Sequence, residues 1–415
     1  MKLLFLAHRI PYPPNKGDKI RSYHELRALA ERGHEIHLLA FADDTQDLGY
    51  QVDLARICAS VQIIPLHRQT ATLRALTNLP VRKPLSLGYF SSHRMQSLIK
   101  RSIAVHDFDA IFVYSSAMAQ YVPGDLASRT VIDLVDADSE KWRDYSKRKK
   151  PPQSWAYELE YRRLRKYEHD IVQRFAYTIL TTEREASLLD GLDEFTRHAR
   201  LRVITNGVDL DHYRPDEGTV LPSSPWLVFV GAMDYYANID GVKWFAKEIL
   251  PLIHEREPRA EFFIVGSHPT REVKGLAGSH GVSVTGFVDD IRPYLQSATV
   301  CVVPLRVARG VQNKVLEAMG AGKAIVATPE SVAGLQVEDG EQLLLAQIPE
   351  DFAEATIKLI RDAPLREYLA ERSRRYVEAR HDWEPLLRKL VELVESVALK
   401  HPTNSGPKVK AMAHQ

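Results

Sequence analysis

Residues 299–328 read TVCVVPLRVARGVQNKVLEAMGAGKAIVAT. A short, β-branched apolar run at 299–304 fits a buried strand. A loop carrying Gly310 follows, then a helix over 313–321, then a second apolar run at 324–328. Strand, helix and strand in this order make a crossover unit, which joins parallel strands rather than a hairpin. Upstream, 226–231 (WLVFVG), 261–266 (EFFIVG) and 282–285 continue the strand pattern, with helices expected at 239–254 and 350–361.

The N-terminal half has the same logic. Strands fit 2–7 (KLLFLA), 35–41, 60–65, 110–114 (AIFVY), 130–135 (TVIDLV) and 176–181, and a helix from Ile20 to Glu31 ends at Gly33. The junction is 203–215, VITNGVDLDHYRP, an apolar run closed by an Asn-Gly turn signal and a proline-ended polar stretch. The fold class expected is therefore α/β, two Rossmann-like domains over 1–205 and 206–382. A last helix over 383–399 is expected to pack back on the first domain, and the polar tail 400–415 to be disordered. Ligands of such open sheets bind outside the carboxyl ends of the strands.

Composition narrows the partners. The chain has 415 residues, 45% hydrophobic and 26% charged, too long for one core and ordinary for a soluble protein. A formal net charge of +1 gives no overall field that would call for nucleic acid. The two cysteines, Cys58 and Cys301, lie among apolar residues and read as buried thiols of a reducing compartment. The opening MKLLFLAH is too short for a signal-peptide core or a bilayer span, so a cytoplasmic location is expected. Charge is nonetheless uneven. From Leu54 to His106 there is no Asp or Glu but there are eight Arg and Lys, with further clusters at 147–150 and 162–166. These read either as solvated surface or as a basic face toward anionic lipid or phosphate, peripheral on the inner membrane.

Several motifs in fixed order resemble the retaining glycosyltransferases of family 4, which have the GT-B fold with parallel sheets facing across a cleft. VITNGVDLDHYRP resembles that family's interdomain segment, and 313–329, NKVLEAMGAGKAIVATP, its nucleotide-sugar helix and following strand. FFIVG with Gly266, GFV ending at Val288, and GHEI at 33–36 also match. The opening HRIPYPPNKGDKIRSYHEL, with VDADSEKW at 135–142, is similar to the sugar transferases that accompany exopolysaccharide loci and the PEP-CTERM/exosortase system.

The resemblance implies a donor substrate, a nucleotide-diphosphate sugar, with no metal cofactor. It also implies an acceptor on a growing chain, expected to be linked to polyprenyl diphosphate. Glu317 matches the second Glu of the family's paired-glutamate motif, which accepts the ribose hydroxyls; an ionised carboxylate suits two adjacent O–H donors. The first Glu of that motif is Arg309 here, which cannot accept a hydrogen bond but can fork onto phosphate. The family's Arg and Lys after Gly231 are Ala232 and Asn238. Diphosphate charge is therefore expected to be met by Arg306, Arg309 and Lys314 around Gly310 and Val311, with backbone N–H groups at the helix start. Gly17 matches a family glycine after the first strand, or is an ordinary turn, and Lys16 stands where another glycine is usual. Asp136 takes the place of a family His at the donor sugar. Asp136, Arg309 and Lys314 are the candidates for catalysis, acting by binding rather than as nucleophiles.

Four rivals remain in view. A metal-dependent transferase of the GT-A class needs a D-x-D motif, which fits at 136–138 but also at 107–109 and 209–211. A dehydrogenase needs G-x-G-x-x-G after the first strand, and the loop has one glycine. A nucleotide-sugar 2-epimerase shares the fold. A catalytically degenerate binding subunit would explain the missing Glu and the missing Arg and Lys.

Overall fold

Uncharged runs rich in Val, Ile, Leu and Phe form the strands, and they are buried without alternation because both faces of each sheet are covered. Leu3 to Ala7 are all fully buried. The computed structural model describes residues 1–15, 17–189, 193–216, 218, 222–278 and 281–400. Lys16 and the tail from 401 lie outside the described residues. The chain divides into two units. One holds Met1–Leu180, Leu188–Arg202 and the C-terminal stretch from Leu387, and the other Thr181–Ser187 and Val203–Leu386.

In the first unit, β1 (Lys2–Ala7), β2 (Glu35–Ala42), β3 (Ser60–Pro65), β4 (Ala110–Tyr114), β5 (Thr130–Val135), β6 (Tyr177–Leu180) and β7 (Leu201–Val203) are ordered β3-β2-β1-β4-β5-β6-β7. In the second, β8 (Trp226–Val230), β9 (Glu261–Val265), β10 (Val282–Gly286), β11 (Val300–Val303), β12 (Ile325–Ala327) and β13 (Leu344–Leu345) are ordered β10-β9-β8-β11-β12-β13. The paired strands run parallel, β1 with β2 and β4, and β8 with β9 and β11. In both sheets the order reverses beside the first strand of the unit, the place where an α/β sheet opens a crevice at its carboxyl edge.

Two expectations change. The helix expected over 239–254 is three pieces: Tyr236–Trp244, a π-helical turn at Phe245–Ile249, and Leu250–His254. Pro251 has no N–H to return to Lys247 and its ring crowds that carbonyl, so the helix widens by a turn where a regular one would break. A long helix at Ala363–Arg380 was not foreseen, because its buried stripe is only Leu369, Ser373 and Val377 on an otherwise charged surface.

That unforeseen helix holds the junction. Arg374 donates from Nη1 to the carbonyls of Tyr213 at 2.8 Å, Gly320 at 2.6 Å and Leu210 at 3.3 Å, while its Nε bonds Glu378 at 2.6 Å. His381 Nδ1 lies 2.8 Å from the Asn206 carbonyl, and Val208 N–H donates to the His381 carbonyl at 2.7 Å. Gly207 must be glycine, since a Cβ there would stand 2.5 Å from the Trp383 ring. Arg374→Met keeps the aliphatic stem and strands three carbonyls. It is expected to lower stability by about 2–4 kcal/mol in urea unfolding, whereas Arg375→Met, on an exposed pair, changes it by less than about 0.5 kcal/mol.

Candidate functional site

The carboxyl edge of the second sheet begins with two glycines that touch. Gly231 follows β8, Gly266 follows β9, and a Cβ on Gly266, whose φ is +147°, would lie 1.9 Å from the Gly231 carbonyl oxygen. Gly231 is equally closed, because a Cβ on it would meet Asn238 Nδ2 at 2.7 Å and Lys314 Cε at 3.3 Å. The strand ends thus form a bare backbone shelf with Asn238 and Lys314 above it.

Lys314 is the second residue of the Asn313–Gly320 helix. Its Nζ donates to Asn238 Oδ1 at 3.1 Å and lies 5.5 Å from the centre of the Phe229 ring. Asn238 is buried and fixed by its own amide, which donates to the Ala232 carbonyl at 2.8 Å. Burial pushes the Lys314 ammonium down to about 8, with the charge of Glu317 opposing. Glu317, one helical turn on, is pushed up to about 7 by burial, with Lys314 opposing. Both groups are half-buried and poised near neutrality, the state in which an arriving anion or diol shifts protonation most.

The other expected cations are used differently. Arg306 forks onto Asp240 at 2.6 and 3.0 Å and lies over the Trp244 ring at 5.4 Å. Asp240 and Asn238 are two residues apart on one helix and so point to different sides, which turns Arg306 away from the Lys314 cluster. Arg309 Nη1 lies 3.6 Å from Glu185 Oε1. The expected three-cation cluster is therefore one lysine on the shelf and two arginines held by carboxylates. Gly310 adopts φ +59°, and its carbonyl abuts Gly334, where a Cβ would stand 2.4 Å away. Val311 is buried behind it, and Val288 packs half-buried against the same core.

Tyr213 and Asn313 were not singled out from the sequence. Burial, with Glu317 contributing, holds the Tyr213 hydroxyl well above its ordinary range. Asn313 Oδ1 accepts from Asn206 at 3.0 Å, tying the helix start to the junction turn. The one sequence signal was the junction motif itself, which contains both Asn206 and Tyr213.

In the first unit, Asp136 lies half-buried just past β5, and Gly17 opens the Gly17–Glu31 helix after the β1 loop. The strand ends here are strained: Ser115 after β4 has φ +82° and Val135 at the end of β5 has φ +68°. Each such residue costs roughly 1–3 kcal/mol. One residue anchors both. The Asp133 carbonyl accepts the Ser115 N–H at 2.8 Å and its Oδ1 accepts the Val135 N–H at 2.7 Å. Asp133 is held by the buried Arg21 guanidinium at 2.6 Å, which also meets Glu25 at 3.0 Å. Burial and the nearby Asp133 charge keep Glu25 well above the usual carboxylate range, with the Arg21 charge opposing. At the β1 end, burial works against the Asp18 carboxylate, but hydrogen bonding from His8 and the charge of Arg9 outweigh it and hold it well below the usual range.

Both cysteines are buried free thiols pushed up to about 12 by burial, and are inert at neutral pH.

Residues 224–362, which contain the glycine shelf, Lys314 and Glu317, match the family model described as "Glycosyl transferases group 1". An uncharacterized glycosyltransferase of Methanocaldococcus jannaschii is 25% identical over 177 residues, 41% of this chain; the match spans 44% of that relative's length. Among solved structures, sucrose-phosphate synthase from Thermosynechococcus elongatus aligns with a TM-score of 0.70 at 17% identity, over 96% of this chain and 100% of that one. HepE from Anabaena, solved in complex with UDP-glucose, aligns with a TM-score of 0.65 at 15% identity, over 95% and 100%. Residues 224–362 are thus similar to a glycosyltransferase group 1 domain, and the solved structures show the fold, two parallel α/β domains of the GT-B architecture.

The poised pair makes stability depend on pH in two opposite windows. Between the ordinary 4.5 and about 7 the folded protein keeps a proton on Glu317 that the unfolded chain has lost, so stability falls as pH rises. Between about 8 and the ordinary 10.5 the unfolded chain holds the proton that Lys314 has given up, so stability rises with pH. Glu317→Gln is expected to flatten the lower window and to stabilise the ligand-free protein at pH 8 by roughly 1–3 kcal/mol. Denaturant titrations across that range check it, and an unchanged slope would mean that Glu317 is hydrated like a surface carboxylate.

Proposed function

We propose that this protein is a glycosyltransferase that moves a sugar, with retention at C1, from a nucleotide-diphosphate donor onto a growing lipid-linked exopolysaccharide. The observation that carries the donor half is the half-buried Lys314 and Glu317 pair beside a bare glycine shelf at a parallel-sheet edge. In this reading Glu317 accepts the two ribose hydroxyls, which favours its ionised form, and Lys314 regains its charge against the diphosphate. Asn238 acts as the arm that holds Lys314 in place rather than as a weakened phosphate ligand. The binding of UDP-glucose by HepE, a protein with the same fold, supports a donor of this class.

The reaction follows from that arrangement. The bond between the sugar C1 and the diphosphate oxygen breaks, and a bond from C1 to the acceptor hydroxyl oxygen forms on the same face. The hydroxyl proton passes to the departing phosphate oxygen. No metal ion and no protein nucleophile enters this scheme, in which Lys314 and backbone N–H groups stabilise the leaving charge. Asp136, just past the strained end of β5, is assigned to hydroxyl groups of the sugar as an acceptor. Arg309 is assigned to the diphosphate once its ion pair with Glu185 opens. Lys16 and Gly17 are assigned to the approach of the β1 loop to the substrates. The resemblance to transferases of exopolysaccharide loci and the PEP-CTERM system is the support for the acceptor class.

A nucleotide-binding subunit without turnover is the second reading, favoured by the engagement of Arg309 with Glu185. Thermal shift and calorimetry with UDP-, GDP- and ADP-sugars test the donor site. One nucleotide class is expected to bind, with Lys314→Ala and Glu317→Ala each weakening it about 10–100-fold. Unchanged affinity in both variants would refute the assignment. Binding without transfer to any glycolipid acceptor, or without slow donor hydrolysis, would select the second reading.

A further inference from the structure

We propose that one face of the first unit docks on an anionic lipid bilayer, through an apolar centre ringed by lysine and arginine. The face is built from the Arg68–Leu76 helix, the 77–84 loop and the Gln153–Arg174 helix. Its centre is aliphatic and aromatic side chains that a soluble surface has no reason to display together. Leu73 is 66% exposed, Leu76 51%, Val81 58% and Trp155 70%.

These tips are held out by polar contacts to one helix, not by a loose loop. Arg163 donates to the carbonyls of Leu79 at 2.9 Å and Lys83 at 3.2 Å. Glu160, itself buried, accepts the backbone N–H groups of Leu85 at 2.6 Å and Ser86 at 2.9 Å. The loop is thereby fastened to the same helix that carries Trp155 and Leu159. Trp155, Leu159 and Arg163 follow at intervals of four residues, so the exposed ring and the exposed Leu159 run along one helix face up to the loop.

Charge identifies the occupant. Arg82 and Lys83 are exposed on the loop, Lys147 and Lys150 are exposed just before the turn that leads to Trp155, and Lys166 is exposed beyond Arg163. Acidic residues are missing from Leu54 to His106. On the second helix Glu158 is already paired with Arg162 at 2.8 Å, and Glu160 is buried under the loop. Aliphatic tips, one interfacial tryptophan and a basic rim match the boundary between acyl chains and anionic headgroups. A second copy of this chain would bring like-charged rims together, and a nucleic acid would leave the leucines and valine against water. No helix among the described residues is long and apolar enough to cross a membrane, so the attachment is to the surface.

The inference is independent of the sugar-transfer reading, because its readout is binding alone. Flotation of the full chain is measured with vesicles of phosphatidylcholine and with the same vesicles containing phosphatidylglycerol. Binding is expected only to the anionic vesicles and is expected to fall with added salt. Two double variants, Val81→Ser with Trp155→Ser, and Arg82→Glu with Lys83→Glu, should each weaken it by about tenfold or more. Lys247→Glu, exposed on the second unit, should leave it unchanged. Equal binding to neutral vesicles, no binding to either, or wild-type binding by both double variants overturns the proposal. So does concentration-dependent self-association that the apolar variant abolishes, which would make the face an interface between copies. All the substitutions are on exposed side chains, and matching thermal melts confirm that a lost signal is not lost folding.

Discussion

Partial burial of a lysine and a glutamate on one turn of helix is the constraint around which the carboxyl edge of the second sheet is arranged. Partial loss of water disfavours either charge, and the neighbours offset it. Asn238 offers Lys314 an oxygen, the Phe229 ring offers it a π face, and the two side chains temper each other across the turn. Gly231 leaves room for Asn238 and Lys314, and Gly266 lets its strand end lie against Gly231.

The first unit reaches a comparable end by backbone rather than by charge. Ser115 and Val135 are forced into the left-handed region where β4 and β5 end, and Asp133 holds both through its carbonyl and its carboxylate. Arg21 is the partner that meets the fully buried Asp133 side chain, at 2.6 Å. A single buried guanidinium therefore sets the backbone direction of two loops, the second of which carries Asp136.

Much of this was legible in the sequence. The strands were, because uncharged runs such as FFIV and AIFVY have one reading between turn signals, and parallel pairing follows from the helices between them. The shelf glycines were also legible as strand-end turns, since local motifs carry them. Long-range partnerships were not. Nothing near Arg306 announces Asp240, 66 residues away, so the arginine read as a phosphate ligand when it is in fact forked onto a carboxylate. Asn238 read as a lost cation because its role is defined only by the Lys314 ammonium beside it. The π-helical turn before Pro251 and the strain at Val135 are likewise products of packing, and a helix with three buried residues in eighteen, Ala363–Arg380, has too weak a stripe to be seen.

The valine at the end of β5 has a bearing on how this protein tolerates change. A glycine or asparagine at position 135 would adopt the observed backbone with less strain, so heat resistance alone would reward its replacement. Relaxing that residue also frees the direction of the segment that follows it. Thermal robustness and the aim of the β5 loop are thus set against each other at one side chain, and a library selected for robustness would drift there first.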